Sequence, residues 1–504
     1  MGNVVKLVVT NNSVLLKKYK ESGLKVVQNE LENLIKADEK RGITTTVVDM
    51  SNKQEMDKYK APVVTDSTDD KQNKDAVDAV FTFSKPAYLM ILGSYDVVPH
   101  VELTNPVYNS KEGDTDRWVP SDLPYACETS YAAGGKDPAK YTSASRVVGR
   151  LPDITESSDS SYLVSLIKGA ASAAPLEKST EYFGLSTEKW EGSSTKNAAQ
   201  IFGSSDKVNL VPPKGSPWEK AALVPVNHFV NCHGAAKDPQ WYGQSKDYPY
   251  HYPVALKAGD IDQGITKGAI VTAECCYGAL LYSPDASTRM AICNTYLFQG
   301  ASMVLGSTTI AYGPSASCDW ADLIVQYAFQ EVLNGQSTGY ATLKTRQDYV
   351  KNKPHLDGID LKTLAQFILL GDPSLKPVKP PQKVAEADMH AAVTERRREA
   401  QLIATTLEQS VSVPVPIPDS ERSSELEARL REIGENHGLS SLTISSFAGV
   451  WTGDRDVLEA VGQPPRIHLL HGQRDPDAPV HTGVIVIVRE QEGTVVSVDE
   501  AEAR

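Results

Sequence analysis

The feature that most constrains this chain is a rhythm over its first 380 residues. Short apolar runs, rich in β-branched residues and bounded by Gly, Ser or Pro, recur at 4–9, 44–48, 87–93, 145–150, 181–186, 226–232, 268–275 and 301–307. Between them lie stretches of helical period, among them 26–40, 155–171, 194–203, 286–298 and 318–333. Runs that are apolar on both faces and joined by helices predict a parallel-rich sheet flanked by helices. The fold class expected is therefore α/β. The stretch 105–142 breaks the rhythm: it is polar, aromatic and irregular, and a long loop of that kind is expected to serve a site.

A second break sets the domain plan. Lysine is frequent up to Lys383 and absent after it, where arginine takes over from Arg396–Arg398 onward. Residues 384–504 hold 11 Arg against 21 Asp and Glu, so most of the net charge of −13 lies there. The proline-rich "KPVKPPQKVAEAD" marks the join. The plan is a region 1–380 (subdomains about 1–175 and 176–380), then a polar helix and a Pro/Ser linker over 381–425. A small α+β accessory module over 426–504 follows, with a helix at 424–436 and a hairpin turned on Glu492–Gly493.

Composition excludes several classes. An acidic chain is a poor general nucleic-acid binder, and no apolar stretch is long enough for a membrane span. The opening residues do not read as a signal or myristoylation segment. Six irregularly spaced cysteines, mostly in apolar runs, read as reduced thiols, so a cytoplasmic location is expected. Zinc-ligand spacings, a P-loop and a G-x-S-x-G elbow are missing, and no metal or cofactor is expected.

In open parallel sheets, sites form beyond the carboxyl ends of the strands. Two of the predicted strands end in reactive residues: "VNHFVNCHGA" in His233–Gly234 and "GAIVTAECCYG" in Cys275, Cys276 and Gly278. If these strands are neighbours, an imidazole and a thiol meet, and a thiol needs such a base to act as a nucleophile. The N–H groups of Gly234 and the nucleophilic cysteine would form an oxyanion hole. Side chains of Cys275 and Cys276 start on opposite sides of the strand, so only one is expected to face His233. His228 reads as core. The second His-Gly, in "HLLHGQRDP" (468–476), has no cysteine after it and reads as a turn.

Two apolar blocks ending in His-Gly and then in Cys resemble the caspase-like cysteine peptidases. The set "AYLMILGSYDVVPH", "PSDLPYA", "RVVGRLPDI", "NCHGA", "AECCYG", "LGSTTIAYGPS" and "AQFILLGDPSLKP", over about residues 85–378, resembles the gingipain-like peptidases and their stand-alone bacterial relatives. The resemblance implies a caspase-like fold, an endopeptidase acting on protein or peptide substrates through a Cys-His dyad and an acyl-enzyme, and no metal. It implies His233 with Cys275, ahead of Gly278, as catalytic pair, and Gly234 and Cys275 as oxyanion donors. The caspase register would instead select Cys276, with Glu274 behind it. Arg-preferring gingipains carry an acid shortly before the "GR" strand. Here Tyr141 and Thr142 stand there, leaving Asp137, Asp319, Trp320 and Glu274 as candidates for a pocket that takes a basic residue.

A regulatory role is expected for the accessory region, docking a protein partner through 384–504 or holding the enzyme inactive. Two rival readings stay open: a non-catalytic caspase-like scaffold, and a thiol acyltransferase or ligase.

Overall fold

The computed structural model describes residues 4–262, 264–285, 289–353, 355–381, 386–439, 441–452 and 464–504, with side chains from 394 onward in the helix that opens at Glu386. Residues 382–385 of the expected join and 286–288 of the expected helix at 286–298 lie outside these, and that helix runs Ile292–Phe298.

A ten-stranded sheet runs, edge to edge, Ile43–Asp49, Val4–Thr10, Tyr88–Leu92, Val148–Leu151, Phe367–Leu370, Met303–Ser307, Ile270–Ala273, Asn227–Asn231, Tyr182–Thr187, Val208–Val211. All neighbours are parallel except Met303–Ser307 against Phe367–Leu370, which is antiparallel. Two parallel halves therefore meet back to back at one seam. Strands such as Tyr88–Leu92, Asn227–Asn231 and Ile270–Ala273 are buried at every position, the pattern of a sheet covered on both faces. All eight apolar runs named from the sequence fall on strands of this sheet. The edge strand Val208–Val211 was not among them, and neither was Phe367–Leu370. Its four residues follow directly on the helix Gly358–Gln366, and no polar break separates the two.

The second half supplies the site. Tyr182–Thr187, Asn227–Asn231, Ile270–Ala273 and Met303–Ser307 are adjacent and parallel, so the segments that follow them emerge along one edge.

The last part of the chain builds a six-stranded antiparallel sheet in the order Tyr312–Gly313, Thr494–Ala503, Gly483–Gln491, Arg466–Gln473, Thr443–Trp451, Ser412–Ile417. Its two faces follow the strand period of two. Val484, Val486 and Val488 pack with Leu430 and Leu439 under the helix Ser424–Asn436. Ile485 and Ile487 pack the other way, with Cys276, Ile310, Tyr312 and Trp320 of the first region. The accessory sheet thus shares a core with the site edge. The expected Pro/Ser linker is in part a strand: Ser412–Ile417 pairs along its length with Thr443–Trp451. Pro414 and Pro416 are tolerated because this strand is at the sheet edge, where a missing N–H costs no ladder bond. The hairpin turns on Glu492 and Gly493, both at positive φ, as expected. Among the described residues no helix is long and apolar enough to cross a membrane.

Candidate active site

The chain places one of its own residues at the site edge. Arg504, after the strand Thr494–Ala503, is fully buried. Its carbonyl oxygen accepts from the N–H of Cys276 at 2.8 Å and of Gly234 at 3.3 Å. Its own N–H donates to the Ala311 carbonyl at 2.9 Å. Before it, Ala503 and Glu502 pair antiparallel with Tyr312 and Gly313. An extended segment is thus held by a strand edge, and its last carbonyl points at two converging backbone donors.

The local sequence explains the convergence. Beyond Ala273 the chain leaves the sheet and turns tightly, with Tyr277 at φ +56° and the Gly278 N–H donating to the Cys275 carbonyl at 3.1 Å. A left-handed tyrosine is strained, at a cost of about 1–3 kcal/mol, and such residues persist where neighbours hold them. Here the Tyr277 hydroxyl donates to Asp116 at 3.0 Å, and the same carboxylate accepts the Ile310 N–H at 2.9 Å. The irregular stretch 105–142 therefore serves the site by bracing this turn. Gly234 is obligatory, since a Cβ there would lie 1.9 Å from the Cys276 carbonyl oxygen.

His233 lies one residue after the Cys232 that follows the neighbouring strand. Its Nε2 is 3.0 Å from Gln244 Oε1. Gln244 donates its own Nε2 to the Pro249 carbonyl at 2.8 Å, so its oxygen is the acceptor and His233 Nε2 carries the proton. Nδ1 is buried and has no partner, which leaves a bare lone pair on that side of the ring. Trp190 and Tyr252 flank the imidazole at 4.4 and 5.7 Å between ring centres. Burial pushes the imidazole pKa down to about 3, with help from the Lys189 and Arg504 cations. Burial pushes the Cys276 thiol up to about 12. With Arg504 seated, thiol and imidazole are both neutral. A cavity of about 230 Å³ reaches His233 and Ala503 between Tyr250, Tyr252 and the accessory sheet.

The Arg504 side chain fills an acidic pocket. Its Nη2 donates to Asp322 Oδ2 at 3.0 Å and to the Pro314 carbonyl at 2.7 Å, and the guanidinium stacks on Trp190 at 4.3 Å. Glu274 stands behind Asp322, close enough for the two carboxyls to share a proton, and accepts from Asn197 at 3.0 Å. Burial and the neighbouring Asp322 charge raise Glu274 well above the usual carboxylate range. Burial also raises Asp322, and Arg504 draws it back toward ionisation. Gly313 makes room, for a Cβ there would stand 2.3 Å from the guanidinium.

Of the residues singled out from the sequence, His233, Gly234, Cys276 and Glu274 come together here. Cys275 does not. Its thiol lies against the Cys232 backbone inside the main core, pushed well above the usual thiol range by burial, and its carbonyl accepts from Ser307 at 2.8 Å. Strand alternation sends the two cysteines to opposite sides, and it is the Cys276 N–H, not that of Cys275, that meets the Arg504 carbonyl. Asp319, Trp320 and Asp137, expected at a pocket, are not hydrogen-bond, ion-pair or ring partners of Arg504. Asp319 pairs with Lys353, Trp320 is buried in the shared core, and Asp137 caps the turn Pro138–Tyr141 from an exposed position. Asp322, Trp190, Ala311 and Gly313 were missed. Each follows a parallel strand of the second half, and the carboxyl-end rule applied to all four strands would have found their segments. Among the described residues no cluster of His, Cys, Asp and Glu could hold a metal ion.

Residues 257–378, which include Cys276, Ala311, Gly313 and Asp322, match the model of Peptidase family C25. The comparison with curated proteins gave no match. Solved structures that resemble the chain include one described as a protease (11% identity, 99% of this chain and 97% of that one, TM-score 0.48). Others are the complex of RgpB pro- and mature domains from Porphyromonas gingivalis (10%, 98% and 99%, 0.46) and the Arg-specific cysteine proteinase gingipain R (11%, 99% and 97%, 0.46). At these scores no residue role passes from those proteins to this one. The strand–turn–helix segment that carries Cys276 and Asp322 thus lies within the one stretch, residues 257–378, that is similar to Peptidase family C25.

Proposed function

We propose that this cysteine peptidase cleaves after arginine, using Cys276 as nucleophile and His233 as general base and acid. Its accessory region controls it by seating Glu502–Arg504 in the substrate channel. The single observation that carries the reading is the seating of Arg504: carbonyl on two N–H donors, N–H on the Ala311 carbonyl, guanidinium on a buried carboxylate. That is the set of contacts a peptidase needs for the residue before a scissile bond.

The reading implies a definite chemistry. Cys276 Sγ attacks the arginyl carbonyl carbon, and its proton passes to His233 Nδ1. The carbonyl oxygen becomes an oxyanion held by the Cys276 and Gly234 N–H groups. As the C–N bond breaks, His233 returns the proton to the leaving amine, and water, deprotonated by His233, releases the acyl group. Gln244 fixes the ring so that Nδ1 is the free nitrogen. Asp322, with Glu274 behind it, selects the cation.

The test is adduct mapping by mass spectrometry with a peptidyl acyloxymethyl ketone bearing arginine. The full chain carries Glu502→Ala and Arg504→Ala so that its own anchors do not compete. Adduct on Cys276 that is lost with His233→Ala supports the reading. Adduct on Cys275, or peptide hydrolysis that survives Cys276→Ala, would sink it. A scaffold would give neither adduct nor hydrolysis, and an acyltransferase would give product only with an added amine.

A further inference from the structure

The segment in the channel is recognised at two side chains, and the second has no part in holding the scissile residue. In an extended strand, side chains two apart fall on one face. Glu502 and Arg504 therefore lie on the same side of the channel, and both meet Trp190. The indole ring stacks on the Arg504 guanidinium, while its Nε1 donates to Glu502 Oε2 at 2.7 Å. Lys189, the preceding residue, reaches the same carboxylate at 3.0 Å. Both sit on the turn Glu188–Trp190 directly after the strand Tyr182–Thr187. Trp190 is fully buried, and its neighbour Lys189 is mostly so, which makes this a built recess and not a surface ion pair. Arg474, directly after the accessory strand Arg466–Gln473, closes it from the far side. Ala503, between them, is buried against Ile310 and Tyr312, where a small side chain fits.

We propose that Lys189 and the Trp190 indole N–H form a subsite for a carboxylate two residues before the cleaved arginine, so that the preferred substrates are peptides of the type acidic–small–Arg. This rests on the reading of Cys276 and Asp322 given above. A carboxylate accepting two charge-assisted or indole hydrogen bonds in a desolvated recess is strongly preferred over its amide, because the amide leaves the lysine unpaired. Trp190 couples the two subsites: its face holds the arginine and its edge the acid.

The experiment compares acetyl-Glu-Ala-Arg, acetyl-Gln-Ala-Arg and acetyl-Lys-Ala-Arg aminomethylcoumarin amides on the full chain carrying Glu502→Ala and Arg504→Ala. The expected kcat/KM for the Glu peptide exceeds that for Gln by about 10-fold to 100-fold, and Lys is poorer still. Lys189→Ala should collapse the Glu-to-Gln ratio. Trp190→Phe keeps a ring under the arginine but loses the donor, so it should lower that ratio while arginine remains preferred at the cleaved position. Equal turnover of the Glu and Gln peptides, or a ratio that survives Lys189→Ala, would overturn the subsite and leave arginine cleavage standing. If none of these peptides were hydrolysed and Cys276 did not alkylate, the proposed function would fail and the subsite with it.

Discussion

Replacing Arg504 by alanine tests whether the accessory region guards the channel. The substitution removes a buried ion pair with Asp322, a bond to the Pro314 carbonyl and the stacking on Trp190. Breaking one partner of a buried pair costs about 3–5 kcal/mol. Asp322 recovers part of this by retaining the proton it shares with Glu274, which puts the loss near the lower end, about 3 kcal/mol. What remains is the Glu502 recess and the pairing of Thr494–Ala503 with Gly483–Gln491, so the sheet survives. A loss of about 3 kcal/mol raises the population with an open channel by about 10²-fold. The assay is the second-order rate of Cys276 alkylation by an arginyl acyloxymethyl ketone, with the exposed Val496→Ala on the same strand as control. Arg504→Ala should raise the rate by about 10²-fold, up to the limit set by the fully open enzyme, and the control should leave it unchanged. An unchanged rate for Arg504→Ala would refute the argument that this residue closes the channel.

Cys276→Ala should abolish hydrolysis while Cys275→Ser retains it with lowered stability, since a hydroxyl replaces a core thiol; thermal melts and peptide turnover check both. Asp322→Asn should lower kcat/KM for arginyl peptides by at least about 10²-fold, read against a citrullyl peptide that loses far less. Binding of arginine favours ionised Asp322, whose pKa burial has raised, so binding releases a proton. Affinity for arginyl ligands should therefore be full above that raised value and fall as pH drops through it, measured as KM against pH; a flat profile, or a fall that persists in Asp322→Asn, would contradict this. Ile487→Ala opens a cavity in the core shared by the two regions and should cost about 2–5 kcal/mol, seen in denaturant melts, and accelerate Cys276 alkylation as the accessory sheet loosens.

The sequence by itself determined the sheet and the neighbourhood of the site. Runs such as 87–93 and 268–275 are largely apolar on both faces, and only a sheet covered on both sides buries the strands they form at every position. His233 and the Cys275–Cys276 pair stand at the ends of two such runs, so their place on the carboxyl edge followed from strand length. Which cysteine backbone meets the Arg504 carbonyl did not follow, because it depends on where the chain leaves the strand. The turn at Tyr277, braced by Asp116 from a distant loop, turns the Cys276 N–H, with that of Gly234, toward the Arg504 carbonyl and leaves Cys275 inside. The acid of the pocket was equally out of reach. Asp319 and Asp322 both lie at the start of one helix, and only packing decides that Lys353 takes the first while the second faces Arg504. The widest gap lies between residues 276 and 504. An ordinary polar stretch, "VDEAEAR", reaches the site edge because Ile485 and Ile487 share a core with Tyr312 and Trp320 and carry the neighbouring strand there. Pairings between strands so far apart in the chain are set by burial of complementary faces, a property of the assembled molecule that no local pattern records.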